Sequence, residues 1–393
     1  MTAELKNIDE AWLDLDIPDD NLFNPMDILK AGEDDYHLRL SYLMSRPEYF
    51  SFLCKHILNV QVLPSQAMML HEMWNRKFPM LIASRGFGKS FMLSLYAIIR
   101  ALILPSRKVV VVGAAFRQSK VLFEYMETIW YNAPILRDIC SSNSGPRRDV
   151  DRCVMRINDS RVTCLPLGDG QKIRGQRAND IISDEFASIP RDIFENVVAG
   201  FAAVSADPID NVKRVAAKKK AVELGIVVEE EIASDTDITF KSNQIILSGT
   251  AYYDFNHFAT YWKKWRQIIK SRGRPERLRE VFGGEEAPKD FDWTEYSIMR
   301  IPYELLPEGF MDASQVARSK ATVHAGIYQM EFGACFTRDS QGFFKRSLIE
   351  SCVISNETTV SDSNGKEIHF ESMLMGNPNK TYIFGVDPAS EVD

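Results

Sequence analysis

The sequence predicts an α/β fold, with a mostly parallel sheet that helices flank on both faces. Short apolar runs alternate with segments of helical length: "PMLIA" at 79–83, "VVVV" at 109–112, "DIIS" at 180–183 and "NQIIL" at 243–247. Four consecutive valines are typical of a central parallel strand that is buried on both faces. Strands that alternate with helices along a chain indicate a sheet covered on both sides.

The remaining elements of the first half follow from periodicity and turn residues. Apolar positions recur at intervals of three and four over 36–60, which predicts helix. Pro64 opens a further helix, and we expect Ser65 to cap it. Another helix is predicted around 117–131. The segment "CVMRINDSRVTCLPL" indicates a hairpin that turns at residues 158–160.

Composition places the chain among ordinary globular proteins. Of 393 residues, 45% are hydrophobic and 26% charged, and the net charge of −7 argues against a protein that coats nucleic acid with its whole surface. A local basic groove is compatible with that charge. The six cysteines form no C-x-x-C pair and are read as reduced thiols. Because no apolar run reaches membrane-spanning length, we expect an intracellular protein without a membrane partner.

A glycine-rich turn connects the first apolar run to the helix that follows it. "ASRGFGKS" at 83–90 matches the phosphate-loop pattern G-x-x-x-x-G-K-[ST], except that alanine takes the first glycine position. Gly86 and Gly88 allow backbone N–H groups to turn toward phosphate oxygens. Lys89 is expected to reach the β- and γ-phosphates of ATP, and the Ser90 hydroxyl to ligate Mg²⁺. The run of strand, loop and helix predicts a P-loop NTPase of the RecA/ASCE type.

Two acids end the buried strand in "DIISDEF". Asp184 is expected to organise the Mg²⁺ that accompanies ATP, and Glu185 to polarise a water for attack on the γ-phosphate. A surface acid pair at a helix start is the alternative interpretation of the same letters. Together with the phosphate loop, the pair predicts ATP hydrolysis.

Other polar residues are weaker candidates for the same site. The amide of Gln66 offers a donor and an acceptor that match the edge of adenine, although a glutamine on a helix is often only exposed. Arg85, Arg174 and Arg177 are candidates for stabilising charge on the γ-phosphate. Arg85 could instead bind a carboxylate, and Arg177 could act on the ATP of a neighbouring subunit.

"SRGFGKS", "IRGQRANDIISDEF" and "ILSGTAYY", in this order and with "LPSQ" upstream, resemble the large terminase subunit of tailed bacteriophages. The resemblance implies an ATPase that moves double-stranded viral DNA into a procapsid, acting with a portal protein and a small terminase subunit. It implies a homo-oligomeric ring at the portal, in the host cytoplasm. It assigns nucleotide-binding, metal-binding or catalytic roles to Gln66, Ser84, Arg85, Gly86, Gly88, Lys89, Ser90, Asp184 and Glu185, and a coupling role to Ser248, Gly249 and Thr250.

The same resemblance extends weakly to the last residues. "YIFGVDPA" is similar to the first strand of the ribonuclease-H-like nuclease of that family, with Asp387 as its first metal-binding carboxylate. Two-metal cleavage needs several acids close together, so we expect no nuclease activity from this chain. A turn before Pro388 is the alternative interpretation of Asp387.

The expected domain organisation has five parts, and one charged segment is ambiguous. The segment 211–237 is basic in its first half and acidic in its second, which fits either a solvated helix or a contact surface for DNA or a partner. The five parts are an N-terminal extension with lid-associated helices (1–60), the ATPase core (61–255), a small helical lid subdomain (256–350), a linker (351–380) and the first nuclease strand (381–393).

Two other functions are compatible with the nucleotide motifs. A superfamily-2-type helicase would need a second RecA-like domain, and residues 256–393 contain no convincing second series of strands and helices. A portal-docking assembly module would use ATP only as a conformational ligand. The intact Lys89, Asp184 and Glu185 argue against that second alternative.

Overall fold

The computed structural model describes residues 36–166, 177–198, 200, 242–289, 291–338, 360–361, 367–368 and 379. Met1–Arg338 and Asp339–Asp393 form two separate compact units. Several sequence predictions therefore lie outside the described residues: the N-terminal extension up to residue 35, the charged segment 211–237, Arg174, and the nuclease strand with Asp387.

One mixed sheet organises the described part of the first unit. Its eight described strands lie in the order β3-β4-β5-β2-β6-β7-β1-β8. Every pair from β5 to β8 across the sheet is parallel, and β3-β4-β5 is an antiparallel extension. This confirms the predicted fold class. The strands are β1 (Phe78–Ala83), β2 (Lys108–Gly113), β3 (Gly145–Arg148), β4 (Cys153–Ile157), β5 (Ser160–Pro166), β6 (Asp180–Ser183), β7 (Gln244–Gly249) and β8 (Tyr296–Ile301).

Helices cover both faces of the sheet. Alternate residues of the central strands point into two hydrophobic cores: Val109 and Val111 of β2 into one, Val110 and Val112 into the other. This is why the valine run is apolar at every position. The helices are α1 (Tyr36–Ser45), α2 (Phe50–His56), α3 (Pro64–Asn75), α4 (Lys89–Ile103), α5 (Phe116–Asn132), α6 (Pro134–Ile139), α7 (Arg191–Ile193), α8 (His257–Ser271), α9 (Pro275–Val281), α10 (Ala313–Thr322) and α11 (Ala325–Glu331).

The structure differs from the sequence predictions at two places in this unit. Strand β8 arises from the region expected to be a helical lid, and it pairs with β1 along its whole length. Helix α3 begins at Pro64, so Leu63, not Ser65, is its N-cap residue. The Ser65 hydroxyl has no hydrogen-bond partner in the described structure, whereas the Gln66 side chain accepts a hydrogen bond from the Leu63 backbone N–H at 2.9 Å.

A buried ion cluster joins the sheet to the helix layer at the amino-terminal end of β6. Asp180 is fully buried and accepts two hydrogen bonds from each of two guanidinium groups, those of Arg100 and Arg107, at 2.6–3.1 Å. Burial alone would raise the pKa of Asp180, but the two positive charges outweigh burial and lower that pKa to about 2. Bidentate geometry makes this a strong structural connection.

The described residues of the second unit are Asn379 and a short antiparallel pair, β9 (Val360–Ser361) with β10 (Glu367–Ile368). In the described parts of the chain, no helix combines the length and the apolar character that a membrane crossing requires.

Candidate nucleotide site

The phosphate loop connects the end of β1 to the start of α4. Gly86 and Gly88 have φ angles of 84° and 86°, in the left-handed region that glycine adopts without strain. Met311 packs directly above Gly86, since a Cβ there would lie 3.0 Å from the Met311 Cε atom. Only glycine therefore suits this position, both by backbone angle and by space. The loop leads straight into α4, whose first N–H groups have no partner within the helix and so favour an anion.

Lys89 extends from the first turn of α4 toward the strand ends. Its side chain is nearly buried, and Nζ donates to Thr250 Oγ1 at 3.2 Å and to the Ala83 carbonyl at 3.3 Å. Thr250 follows directly after β7. Lys89 therefore connects the phosphate loop to the 248–250 turn, for which the family resemblance implies a coupling role.

Asp184 lies beside the same loop. The Ser90 hydroxyl donates to Asp184 Oδ2 at 2.6 Å, while Asp184 Oδ1 is buried and has no partner in the described structure. Burial is the main reason that the pKa of Asp184 rises to about 6, and the neighbouring Glu185 carboxylate raises it further; the Ser90 hydrogen bond and the Lys89 charge act in the opposite direction. The two motifs, 94 positions apart, thus meet through one short contact.

Buried hydroxyl groups without partners collect at this edge of the sheet. Ser84, Ser183 and Ser248 are fully buried, and within the described structure none of their Oγ atoms has a hydrogen-bond partner. They follow β1, end β6 and lie near the end of β7, three adjacent strands. Unsatisfied buried polar atoms are uncommon, and their concentration here indicates a site that a polar ligand completes. Ligands of open α/β sheets bind at this carboxyl-terminal edge.

Glu185 has an unusual backbone conformation for a residue with a side chain. Its φ and ψ angles are both 49°, in the left-handed region. The Ser188 N–H donates to its carbonyl at 2.9 Å, which closes the turn after β6. Such strain persists only where the surroundings enforce it, and it is often found at functional sites. Its side chain is half-buried, so it can meet both the site and water.

The end of β7 packs tightly against this strained turn. A Cβ at Gly249 would lie 3.1 Å from the Phe258 ring and 3.3 Å from the backbone nitrogen of Phe186. The second neighbour is main chain, which cannot move aside easily. Glycine therefore permits the close approach of the 248–250 turn to the residue that follows Glu185.

Gln66 also lies at the phosphate loop. It is buried, and its Nε2 donates to the Phe87 carbonyl at 3.4 Å while Oε1 caps α3. The side chain thus has a structural role in addition to the predicted contact with adenine. The sequence argument could not separate the two, because both use the same amide.

The two described arginine candidates lie in different places. The Arg85 side chain is largely exposed, and its Nη1 lies 3.7 Å from a Glu331 carboxylate oxygen at the end of α11. Its backbone N–H also donates to the Glu331 carbonyl, at 2.6 Å. Arg177 is exposed and precedes β6, so it lies at the edge of the sheet opposite to Asp184. This position favours the interpretation in which Arg177 acts on the nucleotide of a neighbouring subunit, and its role stays a prediction.

Met311 and Glu331 contact the phosphate loop, and no sequence pattern predicted either contact. They lie more than 200 positions after it, in the region after β8. The backbone of β8 brings them there, since the Ser84 N–H donates to the Ile301 carbonyl at 2.8 Å. Strand β8 has six residues without strict alternation of buried and exposed positions, so its sequence did not predict that it lies beside β1.

The residues at this edge fit ATP with Mg²⁺. The unpartnered Asp184 Oδ1 and the Ser90 hydroxyl are hard oxygen donors, which Mg²⁺ prefers. Among the described residues there is no group of three or more His, Cys, Asp and Glu side chains that could enclose a metal. Such a sparse set suits Mg²⁺, which is usually held by one or two carboxylates and the substrate phosphates.

A family model described as the N-terminal part of the large terminase subunit, of the T4-like virus type, matches residues 80–280, just over half of the chain. The match spans the phosphate loop, Asp184, Glu185 and the 248–250 turn. No curated protein matches the chain.

Solved structures that resemble the chain include phage terminases. The ATPase domain of the Thermus phage P74-26 large terminase is 13% identical with a TM-score of 0.44, covering 72% of this chain and 97% of that domain. The large terminase of bacteriophage HK97 is 12% identical with a TM-score of 0.42, covering 77% of this chain and 56% of that protein. A large terminase from a thermophilic bacteriophage, solved with ADP, is 10% identical with a TM-score of 0.39, covering 70% of this chain and 54% of that protein.

Proposed function

The chain belongs to the large terminase subunit family, whose members are DNA-packaging motor ATPases, and on that premise we propose how its residues hydrolyse ATP. The family assignment does not favour a helicase or an assembly module without turnover. One observation carries the assignment of the site: the 2.6 Å contact between Ser90 and Asp184 joins the two motifs beside Lys89.

The proposed binding step uses the phosphate loop and Lys89. The loop N–H groups and the start of α4 hold the phosphates, and Lys89 neutralises the terminal ones. Ser90 and Asp184 would hold Mg²⁺, which supplies charge neutralisation between the phosphates. Gln66 contacts the base while it keeps α3 capped.

The proposed chemical step depends on Glu185. Its carboxylate orients a water and accepts a proton from it as the water oxygen bonds to the terminal phosphorus, and the bond from that phosphorus to the bridging oxygen breaks so that ADP leaves. The left-handed backbone of Glu185 fixes the direction of that side chain. Arg85 and Arg177 remain candidates for stabilising the charge that develops, the first within the chain and the second on a neighbouring subunit.

The contact from Lys89 to Thr250 supports a coupling role for residues 248–250. When the terminal phosphate leaves, Lys89 loses one partner and its bond to Thr250 can change. We further propose that the motor acts as a homo-oligomeric ring on the portal, with the small terminase subunit and double-stranded DNA as partners, at the procapsid in the host cytoplasm. Nuclease activity would depend on Asp387 and further acids, and none is proposed for this chain.

Glu185→Gln tests the catalytic assignment. The amide keeps the size of the side chain but cannot accept the proton, so we expect ATP turnover to fall by about 10²–10⁴-fold while ATP binding persists. Steady-state phosphate release and equilibrium binding of a fluorescent ATP analogue measure the two effects.

Glu124→Gln is the matched control, because it makes the same change on the exposed surface of α5. Turnover of the Glu185 variant within threefold of the control would reject Glu185 as the base.

A further inference from the structure

We propose that the exposed hairpin of α8 and α9 is the surface on which this ATPase contacts the phosphates of double-stranded DNA. The inference rests on the proposed motor function and adds to it a binding surface. It starts from charge: residues 263–279 contain eight Lys and Arg side chains and one carboxylate, Glu276, in a chain whose net charge is −7. These eight side chains form the basic surface.

All eight basic side chains are exposed. Among the described residues only Lys263 and Arg279 have carboxylate partners, Asp254 at 3.9 Å and Glu286 at 2.6 Å. Arg266 and Lys264 lie over aromatic rings, and Arg277 donates to the Lys270 carbonyl. Within the same described residues, the side chains of Lys270, Arg272 and Arg274 have no carboxylate partner, no aromatic ring beneath them and no hydrogen bond. Their charges are therefore available to a ligand.

The hairpin presents these charges on a rigid support. One face of α8 is buried through Phe258, Trp265 and Ile268, which leaves Lys263, Arg266 and Lys270 on the opposite face at intervals of three and four. After α8 the chain turns sharply: Arg272 has a φ of 50°, and a Cβ at Gly273 would lie 2.9 Å from the Trp293 ring. The Ser271 hydroxyl donates to the Ile268 carbonyl and accepts from the Gly273 N–H.

Charge complementarity selects the partner. Duplex DNA presents one phosphate per about 1.7 Å of its axis, and lysine and arginine bind it without reading sequence. A packaging motor must move along DNA of any sequence, so contacts to phosphates alone suit its task. A solvated face usually carries both signs of charge in similar numbers, whereas residues 263–281 carry eight basic side chains and two carboxylates, those of Glu276 and Glu280.

The opposite end of α8 is attached to the nucleotide site. The Asn256 side chain donates to the Ala187 carbonyl at 3.0 Å and caps the helix by accepting from Phe258 N–H at 2.8 Å. His257 Nε2 lies 2.9 Å from the Phe186 carbonyl, and the Phe258 ring meets Gly249. A single helix of 15 residues, about 22 Å long, thus connects the residues after Glu185 to the basic surface.

A triple variant tests this surface. Lys270→Gln, Arg272→Gln and Arg274→Gln together remove three charges for which the described residues provide no ion pair, ring contact or side-chain hydrogen bond. The binding of a fluorescent DNA duplex to the full chain is measured by anisotropy between 50 and 200 mM salt. We expect an affinity loss on the order of 100-fold and a slope of log K against log salt that is less negative by about 2–3.

The matched control removes three exposed charges elsewhere. Lys108, Arg156 and Arg161 are exposed and lie at neighbouring positions across β2, β5 and β4, and no carboxylate pairs with them in the described structure. When all three are changed to glutamine, both the affinity for duplex DNA and the slope of log K against log salt should stay within twofold of the wild-type values. The thermal unfolding midpoint of each variant checks that it is folded.

Two results would overturn the inference. If both triple variants lose DNA affinity equally, the hairpin is not a specific DNA-contacting surface. If neither variant loses affinity, the hairpin contacts another partner, such as an acidic protein. ATP turnover of the wild type without DNA tests the proposed function by itself. A chain that hydrolyses ATP but whose hairpin variant binds DNA normally would reject only the inference.

Discussion

Strand β6 has a buried aspartate at each end, and their surroundings are opposite. Asp180 begins the strand and is held by Arg100 and Arg107, which lower its pKa to about 2. Asp184 follows the strand and accepts a hydrogen bond from one serine hydroxyl, while its other oxygen has no partner among the described residues. Its pKa is raised to about 6, mainly by burial. Both residues are aspartates, four positions apart. The carboxylate of Asp180 is fully hydrogen bonded at one edge of the sheet, and that of Asp184 is only partly hydrogen bonded at the other.

This difference separates what stabilises the molecule from what prepares it for a ligand. The amino-terminal edge also has the buried Gln244, whose amide donates to the carbonyls of Met73 and Arg76, and the Tyr96 hydroxyl, within 3.0 Å of two acceptors. The carboxyl-terminal edge has buried hydroxyls that no described residue pairs with, and a strained Glu185. Satisfied buried polar groups are therefore concentrated at the amino-terminal edge, whereas the candidate nucleotide site has buried polar groups that a ligand can pair.

The largest stability effect is expected at Asp180. Asp180→Asn leaves two buried guanidiniums without their negative partner, and breaking a buried ion pair in this way costs about 3–5 kcal/mol of unfolding free energy. Urea denaturation at pH 7 measures the loss. Asp192→Asn, the same change at an exposed position, is the control and should stay within about 0.5 kcal/mol of the wild type. If Asp180→Asn lowers the unfolding free energy by less than about 1 kcal/mol, the buried ion cluster does not stabilise the fold as proposed.

Asp184→Asn is expected to act in the opposite direction on stability. Without nucleotide or Mg²⁺, the amide removes a buried charge that lacks a full partner, so the unfolding free energy at pH 7 should rise by about 1–3 kcal/mol. ATP turnover should nevertheless be lost, because we propose that this carboxylate helps to hold Mg²⁺. Urea denaturation in the presence of a chelator and phosphate release report the two effects. A variant that is both less stable and fully active contradicts the assignment.

A smaller effect compares two hydroxyl groups. Tyr96→Phe removes a hydroxyl that hydrogen bonds at the amino-terminal edge and should cost about 1–2 kcal/mol. Ser248→Ala removes a buried hydroxyl without a partner and should change stability by less than about 0.5 kcal/mol. Thermal unfolding of both variants beside the wild type tests this. Equal losses would mean that the two edges do not differ in hydrogen bonding.

Much of the sheet could be predicted because its strands have strong local patterns. The valine run, the apolar segments before the phosphate loop and before Asp184, and the hairpin turn at Asn158, which has a φ of 51°, all appear in the structure where the sequence indicated. These features are set by neighbouring residues. The meeting of Ser90 with Asp184 was predictable for a different reason, since parallel strands place their ends at one edge.

The parts that could not be predicted depend on distant residues. Arg100, Arg107 and Asp180 lie up to 80 positions apart, and no local pattern marks them as partners. Strand β8 has mixed burial and no strict alternation, so its place beside β1 is decided by tertiary contact. Ser65 looked like a cap because it follows Pro64, yet Pro64 itself starts α3 and Gln66 supplies the side-chain hydrogen bond.

The most direct test of the central comparison is the pH dependence of unfolding for Asp184→Asn and Asp180→Asn, measured from pH 4 to pH 8 without nucleotide. The folded state holds the Asp184 proton more tightly than the unfolded chain, so the wild type loses stability as pH rises from about 4 to about 6. The advantage of Asp184→Asn should therefore be small at pH 4 and full above pH 6. The deficit of Asp180→Asn should stay constant, since the lowered pKa of Asp180 matters only below about pH 4. If both variants changed the unfolding free energy in the same direction and with the same dependence on pH, the proposed difference between Asp180 and Asp184 would be wrong.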